Sequence, residues 1–230
     1  MRSPSIPSPA PTPPPRPVRV TPARTAALLA SFSGVLVTLV VAGWDPLLLF
    51  DRTLAERLHD RAVAQPGATW ANRVLTDWVW DPWTMRLLTA AAVIAVWLRG
   101  DRLLALWVAA TSAVGAALST ALKSAVGRER PHWPDPVDSA DFAAFPSGHA
   151  MTATVTCGLL LWLLRGHGTG PRTWRTALAL AAVSVAGAGL TRLWLGVHWG
   201  SDVLGGWLLG GCVVALSLAA YGRLARSGER

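Results

Sequence analysis

The residues best suited to chemistry in this 230-residue chain fall in three short stretches. The first runs Lys123-Ser-Ala-Val-Gly-Arg-Glu-Arg130-Pro131, and Lys123 is the single lysine among 21 basic residues. Lys123 and Arg130 stand seven positions apart, nearly two turns, so a continuing helix presents both on one face. Pro131 disfavours helix at Arg130 and marks an exit into a loop. The second stretch is Phe145-Pro146-Ser147-Gly148-His149, just before an apolar run. Ser147 suits an N-cap, the first amides of the following helix point outward unpaired, and Gly148 gives close access. Together they form an anion site with His149 at its mouth. The third stretch is Thr191-Arg192-Leu-Trp-Leu-Gly-Val-His198-Trp-Gly-Ser-Asp202. His198 and Asp202 have the four-residue spacing that brings side chains together on a helix. The carboxylate can then accept the imidazole Nδ1–H and leave Nε2 unprotonated. Arg192 faces away from His198 on a straight helix, so the chain must bend between them, and Gly196 is the natural place.

The elements that carry these stretches are apolar. The chain is 52% hydrophobic and 15% charged, against about 25% charged in soluble domains. Its mean hydropathy is +0.37. The shortfall in charge is concentrated in uncharged runs, which excludes a disordered protein, a disulfide scaffold and an ordinary soluble enzyme. The pattern predicts an all-α, polytopic membrane bundle of about six transmembrane helices. The runs are Thr25–Trp44, Leu87–Leu98, Leu103–Leu122, Ala150–Leu164, Thr176–Thr191 and Val203–Gly222. The second is short and spans only if Trp83 and Arg86 lie within its helix. Between the first two, residues 51–82 read as an amphipathic interfacial segment, with Leu54, Leu58 and Val63 near one face and four tryptophans before the second span.

Nine prolines in residues 3–22 predict a disordered, proline-rich tail over residues 1–24. Residues 25–222 form the six-span domain, with the motifs at 123–202, and residues 223–230 a basic tail. Six spans put both termini on one side, which receives twelve of the 21 basic residues, from Arg2 to Arg24, at Arg99 and Arg102, from Arg165 to Arg175, and from Arg223 to Arg230. That side is the cytoplasm by the positive-inside rule, and the three stretches face the outer side of the cell membrane. The net charge of +8 therefore reads as membrane orientation, and no nucleic-acid partner is expected. Cys157 and Cys212 sit inside apolar runs as small core residues. His59 and His167 read as solvated, and His132 as a loop residue.

Each stretch alone has a plainer reading: a basic helix end, a simple cap, a structural His–Asp pair. Together, Lys-x6-Arg-Pro, Pro-Ser-Gly-His and Arg-x5-His-x3-Asp fix ten residue types in order. This pattern resembles the type 2 phosphatidic acid phosphatase (PAP2) family, which shares its site with the vanadium haloperoxidases. The likeness extends over roughly residues 25–222, with one departure: Thr191 stands where the family usually has Ser.

The resemblance implies an integral-membrane lipid phosphatase acting on a phosphate or diphosphate ester, such as phosphatidate, phosphatidylglycerol phosphate or polyprenyl pyrophosphate. It implies that His198 attacks phosphorus and forms a phosphohistidine, that Asp202 orients it, and that His149 protonates the leaving group. Lys123, Arg130, Arg192, Ser147 and Gly148 would hold the phosphoryl oxygens. Three fixed cations suit a group carrying about −1.5 to −2 charge, and no metal or cofactor is implied. A phosphotransferase using the same site, or a phosphate-binding transporter, are the alternatives. A binder has no need of a nucleophile and an acid.

Overall fold

The computed structural model describes residues 21–227, and every regular element among them is helical. The order is α1 (Pro22–Val41), α2 (Asp45–Ala64), α3 (Pro66–Val74) running into a π-helical turn (Leu75–Val79), α4 (Pro82–Leu98), α5 (Arg102–Val126), α6 (Gly148–Gly166), α7 (Pro171–Trp194) and α8 (Gly200–Ser227). The proline-rich stretch up to residue 20 and residues 228–230 lie outside the described residues; Pro22–Arg24 are already helix.

Local chemistry sets the boundaries. Thr21 and Asp81 cap α1 and α4, each followed by Pro at the first helical position, where the missing amide costs nothing. Asp101 accepts the Leu104 amide at 3.2 Å to start α5. Gly127, at φ 59°, ends α5, and its amide bonds the Lys123 carbonyl at 3.0 Å.

α6 is the central helix. Its buried residues, Ala150, Met151, Ala153, Val155, Thr156, Cys157, Leu159 and Leu163, lie all round it, as expected of a helix enclosed by protein. α4, α5, α7 and α8 surround it, and α1 packs on α8. Lipid offers apolar side chains nearly the solvation that a protein core does, so association rests on close packing of small residues. Gly206 and Gly210 of α8 provide it: a Cβ at Gly206 would stand 2.7 Å from the Ser147 carbonyl oxygen, and one at Gly210 would stand 2.9 Å from that of Met151. Gly187 of α7 likewise leaves the space that Trp80 fills. Leu28, Phe32, Ile94, Leu106, Val114 and Val183 point outward, forming an apolar exterior for lipid.

Four helices are long and apolar enough to cross a membrane, Pro22–Val41, Arg102–Val126, Pro171–Trp194 and Gly200–Ala225. The expected count of six is not reached by that measure. α4, with 17 residues, rises about 25 Å against a hydrocarbon thickness of about 30 Å. α6 carries Gly148, His149 and three threonines, tolerable because it faces protein. α4 does contain Trp83 and Arg86, whose guanidinium lies over the Trp83 ring.

The segment after α1 differs from its sequence reading. Its inward face is Asp51, Ala55, His59 and Ala62, while Val63 is exposed. His59, expected to be solvated, is buried: it stacks on Trp133 at 4.1 Å and its Nε2 meets Asp135 at 3.1 Å. The polar residues turn inward because α2 packs on α7 and α8, where the 128–135 loop and the start of α8 supply partners for them.

Candidate active site

Alternating helix direction gathers the three stretches at one end of the bundle. Lys123 lies near the end of α5, His149 at the start of α6, Arg192 near the end of α7 and Asp202 at the start of α8. Two loops complete the set: residues 127–147, which carry Arg130 and Ser147, and residues 195–199, which carry His198.

The third stretch bends at Gly196, which has φ 67°. A Cβ there would meet Trp133 Nε1 at 2.6 Å, and the Trp133 indole donates to the Gly196 carbonyl at 2.8 Å. This turn places His198 next to Asp202, Nδ1 to Oδ2 3.4 Å, with both residues buried. The second Asp202 oxygen accepts from Arg128 at 2.6 Å. The Trp199 amide also donates to Oδ2 at 2.8 Å.

Arg130 does not share a helix with Lys123. α5 stops at Val126 because Gly127 adopts the left-handed conformation, so Arg130 stands in the extended stretch beyond it. Its guanidinium spans the site: Nε donates to Phe142 O at 2.9 Å, one Nη to Asp141 O at 2.9 Å, and the other to Val197 O at 2.6 Å. That last nitrogen is also 3.1 Å from His198 Nε2. Lys123 Nζ donates to the Ala143 carbonyl at 2.5 Å and lies beside Gly148.

Four side-chain polar atoms are buried without a hydrogen-bond partner among the described residues, and two of them, Ser147 Oγ and Arg192 Nε, belong to the site; the others are Ser33 Oγ and His59 Nδ1. Ser147 holds the N-cap position of α6, but its hydroxyl makes no cap bond, contrary to the capping expectation. Its own amide donates to the Asp202 carbonyl at 2.9 Å, tying the start of α6 to that of α8. Arg192 is 5% exposed; one Nη donates to Thr76 Oγ1 at 3.5 Å and lies 3.6 Å from Asp138. Leaving such groups unsatisfied costs about 1–3 kcal/mol each, more for a charge, so an arriving anion recovers that cost. Thr191 turns away: its Oγ1 donates to Gly187 O at 2.9 Å within α7.

The electrostatics follow from this crowd of cations. Burial, then Arg130, Arg192 and Lys123, hold the His198 imidazole well below its ordinary value. His149, in the first turn of α6 ahead of its apolar stretch, is lowered by burial and then chiefly by Arg192, His198 and Arg130. An anion among these groups would offset the part of that lowering that comes from Arg192, Arg130 and Lys123. Among the described residues no group of three or more His, Cys, Asp or Glu side chains is placed so that it could hold a metal ion.

Two cavities flank the segment 141–143. One, about 290 Å³ and mostly apolar, is lined by Thr120, Lys123, Ser124, Phe142 and Ala143. The other, about 220 Å³, includes Arg130, His132, Trp133, Asp138 and Val197. His132 is thus an exposed loop residue at the rim.

The structure is thus an all-helical membrane bundle in which Lys123, Arg130 and Arg192 gather at the end that holds the His198–Asp202 pair. Comparison with known proteins gives it a lineage. The chain belongs to the PAP2 superfamily, whose model matches residues 104–226. It is 29% identical over 181 residues to phosphatidylglycerophosphatase B of Bacillus subtilis, covering 71% of this chain and 87% of that protein. It is 35% identical over 120 residues to decaprenylphosphoryl-5-phosphoribose phosphatase of Mycobacterium tuberculosis, covering 51% and 61%. It is 34% identical over 115 residues to lipid A 1-phosphatase of Rhizobium etli, covering 46% and 45%. The crystal structure of a transmembrane PAP2-type phosphatidylglycerolphosphate phosphatase from Bacillus subtilis superposes with a TM-score of 0.77, at 20% identity over 86% of this chain and 96% of that one, which shows the fold.

Two residues with a place in this geometry were not among the candidates read from sequence. Arg128 lay inside the first motif as an unassigned position, and Asp51 lies in α2, far outside the motifs. The only sequence signal for Asp51 is an acidic residue near the start of an otherwise amphipathic helix.

Proposed function

We propose that this chain hydrolyses a phosphate or diphosphate ester of a lipid through a phosphohistidine on His198, without a metal. The observation that carries this reading is the His198–Asp202 pair, Nδ1 to Oδ2 3.4 Å, facing a site where Arg192 Nε and Ser147 Oγ are buried and unpartnered.

The steps balance as follows. The phosphoryl oxygens settle among Lys123, Arg130, Arg192, Ser147 Oγ and the Gly148 amide, and Arg130 gives up its contact with His198 Nε2. The Nε2 lone pair forms the N–P bond as the P–O bond to the leaving group breaks. His149 passes its proton to the leaving oxygen. Asp202 accepts the Nδ1–H throughout and balances the charge on the ring. Water, losing its proton to His149, then attacks phosphorus, the N–P bond breaks, and phosphate leaves with His198 neutral again. Positioning and charge stabilisation supply most of the acceleration in such reactions.

The lipid nature of the substrate is supported by the relatives' names and by the apolar cavity beside Lys123, which lets an acyl or prenyl tail lie next to the site. Phosphatidate, phosphatidylglycerol phosphate and polyprenyl pyrophosphate all present a terminal phosphate on such a tail. The arginine distribution supports a cell membrane location with both termini cytoplasmic and the site on the outer side.

The test is phosphate release by detergent-purified protein in EDTA, on phosphatidate, phosphatidylglycerol phosphate and undecaprenyl pyrophosphate separately, beside His198→Ala. Release that persists in EDTA and vanishes in His198→Ala is the expected result. Release that needs a metal, or that survives in His198→Ala, overturns the mechanism.

A further inference from the structure

Behind Asp202 lies a buried charge group that the motifs do not contain. Arg128 bridges two carboxylates: one Nη donates to Asp202 Oδ1 at 2.6 Å and to Ser201 Oγ at 2.7 Å, and the other to Asp51 Oδ2 at 2.8 Å. Asp51 is 1% exposed and uses both oxygens; its Oδ1 accepts the Ser201 amide at 2.8 Å, and its Oδ2 also accepts the Ser201 hydroxyl. The fit is close, since a Cβ at Gly200 would stand 3.2 Å from Asp51 Oδ1. Arg128 further lies over the Trp199 ring, next to His198 in sequence. Asp51 falls outside the residues matched by the family model.

We propose that Asp51, acting through Arg128 and Ser201, is a positioning residue for the His198–Asp202 pair and supplies the net negative charge behind it. A guanidinium is always cationic. With Asp202 alone it forms a neutral pair; with Asp51 added, the group carries one net negative charge behind the imidazole. That charge matters at one moment. When His198 Nε2 bonds to phosphorus while Nδ1 keeps its proton, the ring becomes cationic, amid the like charges of Lys123, Arg130 and Arg192. A negative group on the far side offsets them. Asp51 also holds the Ser201 amide, fixing the first turn of α8 that aims Asp202.

This assignment rests on the phosphohistidine reading, so wild type and His198→Ala accompany every measurement. Wild-type release that is absent, or that survives in His198→Ala, removes the parent reading and this assignment with it. The assay uses the lipid that wild type hydrolyses fastest among phosphatidate, phosphatidylglycerol phosphate and undecaprenyl pyrophosphate. Asp51→Asn keeps the size of the side chain and removes its charge. The expected result is a kcat lowered about tenfold or more with KM within about threefold. The acid limb of kcat/KM moves to lower pH, because loss of a nearby negative charge makes His198 harder to protonate. Ser201→Ala, which leaves all charges in place, does not move that limb. Folded Asp51→Asn with wild-type kcat, or with a kcat loss matching its folded fraction and an unmoved limb, overturns the assignment. If Asp51→Asn does not fold, Arg128→Lys takes its place: a point charge cannot bridge both carboxylates, and kcat falls at unchanged KM. Wild-type kcat in Arg128→Lys, or failure of both variants to fold, marks the group as scaffold and overturns the assignment equally.

Discussion

Arg130 Nη1 stands 3.1 Å from His198 Nε2. A guanidinium only donates, so Nε2 is the acceptor and the single proton of the neutral ring sits on Nδ1, toward Asp202. The Nε2 lone pair is therefore held toward Arg130, as the proposed attack on phosphorus requires, and burial, then the charge of the same arginine, disfavours protonation of the ring.

The first prediction concerns pH. Burial and the charges of Arg130, Arg192 and Lys123 lower the His198 value. A base lowered in this way stays unprotonated as pH falls through the ordinary histidine range near about 6.5. Arg130→Gln removes one repelling cation, so the His198 value rises and the acid limb of kcat/KM moves to higher pH, alongside a lower turnover. Profiles between about pH 4 and pH 8 check this. Running both proteins on one substrate cancels that substrate's own ionisation. A limb that stays put, or moves down, contradicts the electrostatic account of this pair.

A second prediction separates function from stability at Ser147. Its hydroxyl is buried and unpartnered, a cost to the fold that a phosphoryl oxygen in the proposed site would offset. Ser147→Ala should leave the thermal unfolding midpoint in detergent unchanged or slightly raised. Turnover should fall about 100-fold, the scale of losing one donor to a developing oxyanion. A clear drop in the midpoint would mean that the hydroxyl caps α6 after all.

Thr191 stands where the family usually has Ser, and the third prediction is that the exchange is mild. Its hydroxyl bonds Gly187 O at 2.9 Å inside α7. Thr191→Ser should keep KM and kcat within about twofold, while Thr191→Val loses one internal hydrogen bond, about 1 kcal/mol, without a selective rise in KM. Vanadate inhibition read beside KM checks this, because a direct phosphate ligand would weaken both in parallel.

The motif residues could be read from sequence because each combines a chemical type with a fixed offset. The bend at Gly196 followed from the impossibility of Arg192 and His198 sharing a helix face, and Gly196 makes that bend. Long-range partners left no such mark. Arg128 and Arg130 differ in role although they sit two apart in one loop: Arg130 turns toward His198, whereas Arg128 turns toward Asp51 on α2. Nothing local encodes that choice. The inward turn of Asp51 and His59 was hidden for the same reason. An amphipathic pattern assigns polar residues to the outside, and the pattern fails where a buried site supplies partners. Pro131 marks a helix exit by sequence, but Gly127, in the left-handed conformation, stops α5 earlier, at Val126.

The last prediction tests how the helices hold the site. Gly206 faces the first turn of α6, where a Cβ would stand 2.7 Å from Ser147 O, 2.9 Å from Ala150 Cβ and 3.0 Å from Met151 N. Two of these are backbone atoms, which cannot swing aside, so α6 itself must shift. Gly206→Ala should therefore lower stability by about 1–3 kcal/mol, the usual cost of overpacking. Turnover should fall further than stability explains, because the same displacement carries Ser147 and His149 away from Asp202 and His198. Gly34 is the control: it also lies inside a helix, but has nothing within 4 Å of the added Cβ. Gly34→Ala should be neutral or slightly stabilising through helix propensity. Thermal unfolding in detergent and phosphate release, measured on both variants, decide the matter. Full activity in Gly206→Ala would show that the α6–α8 approach does not set the position of the site.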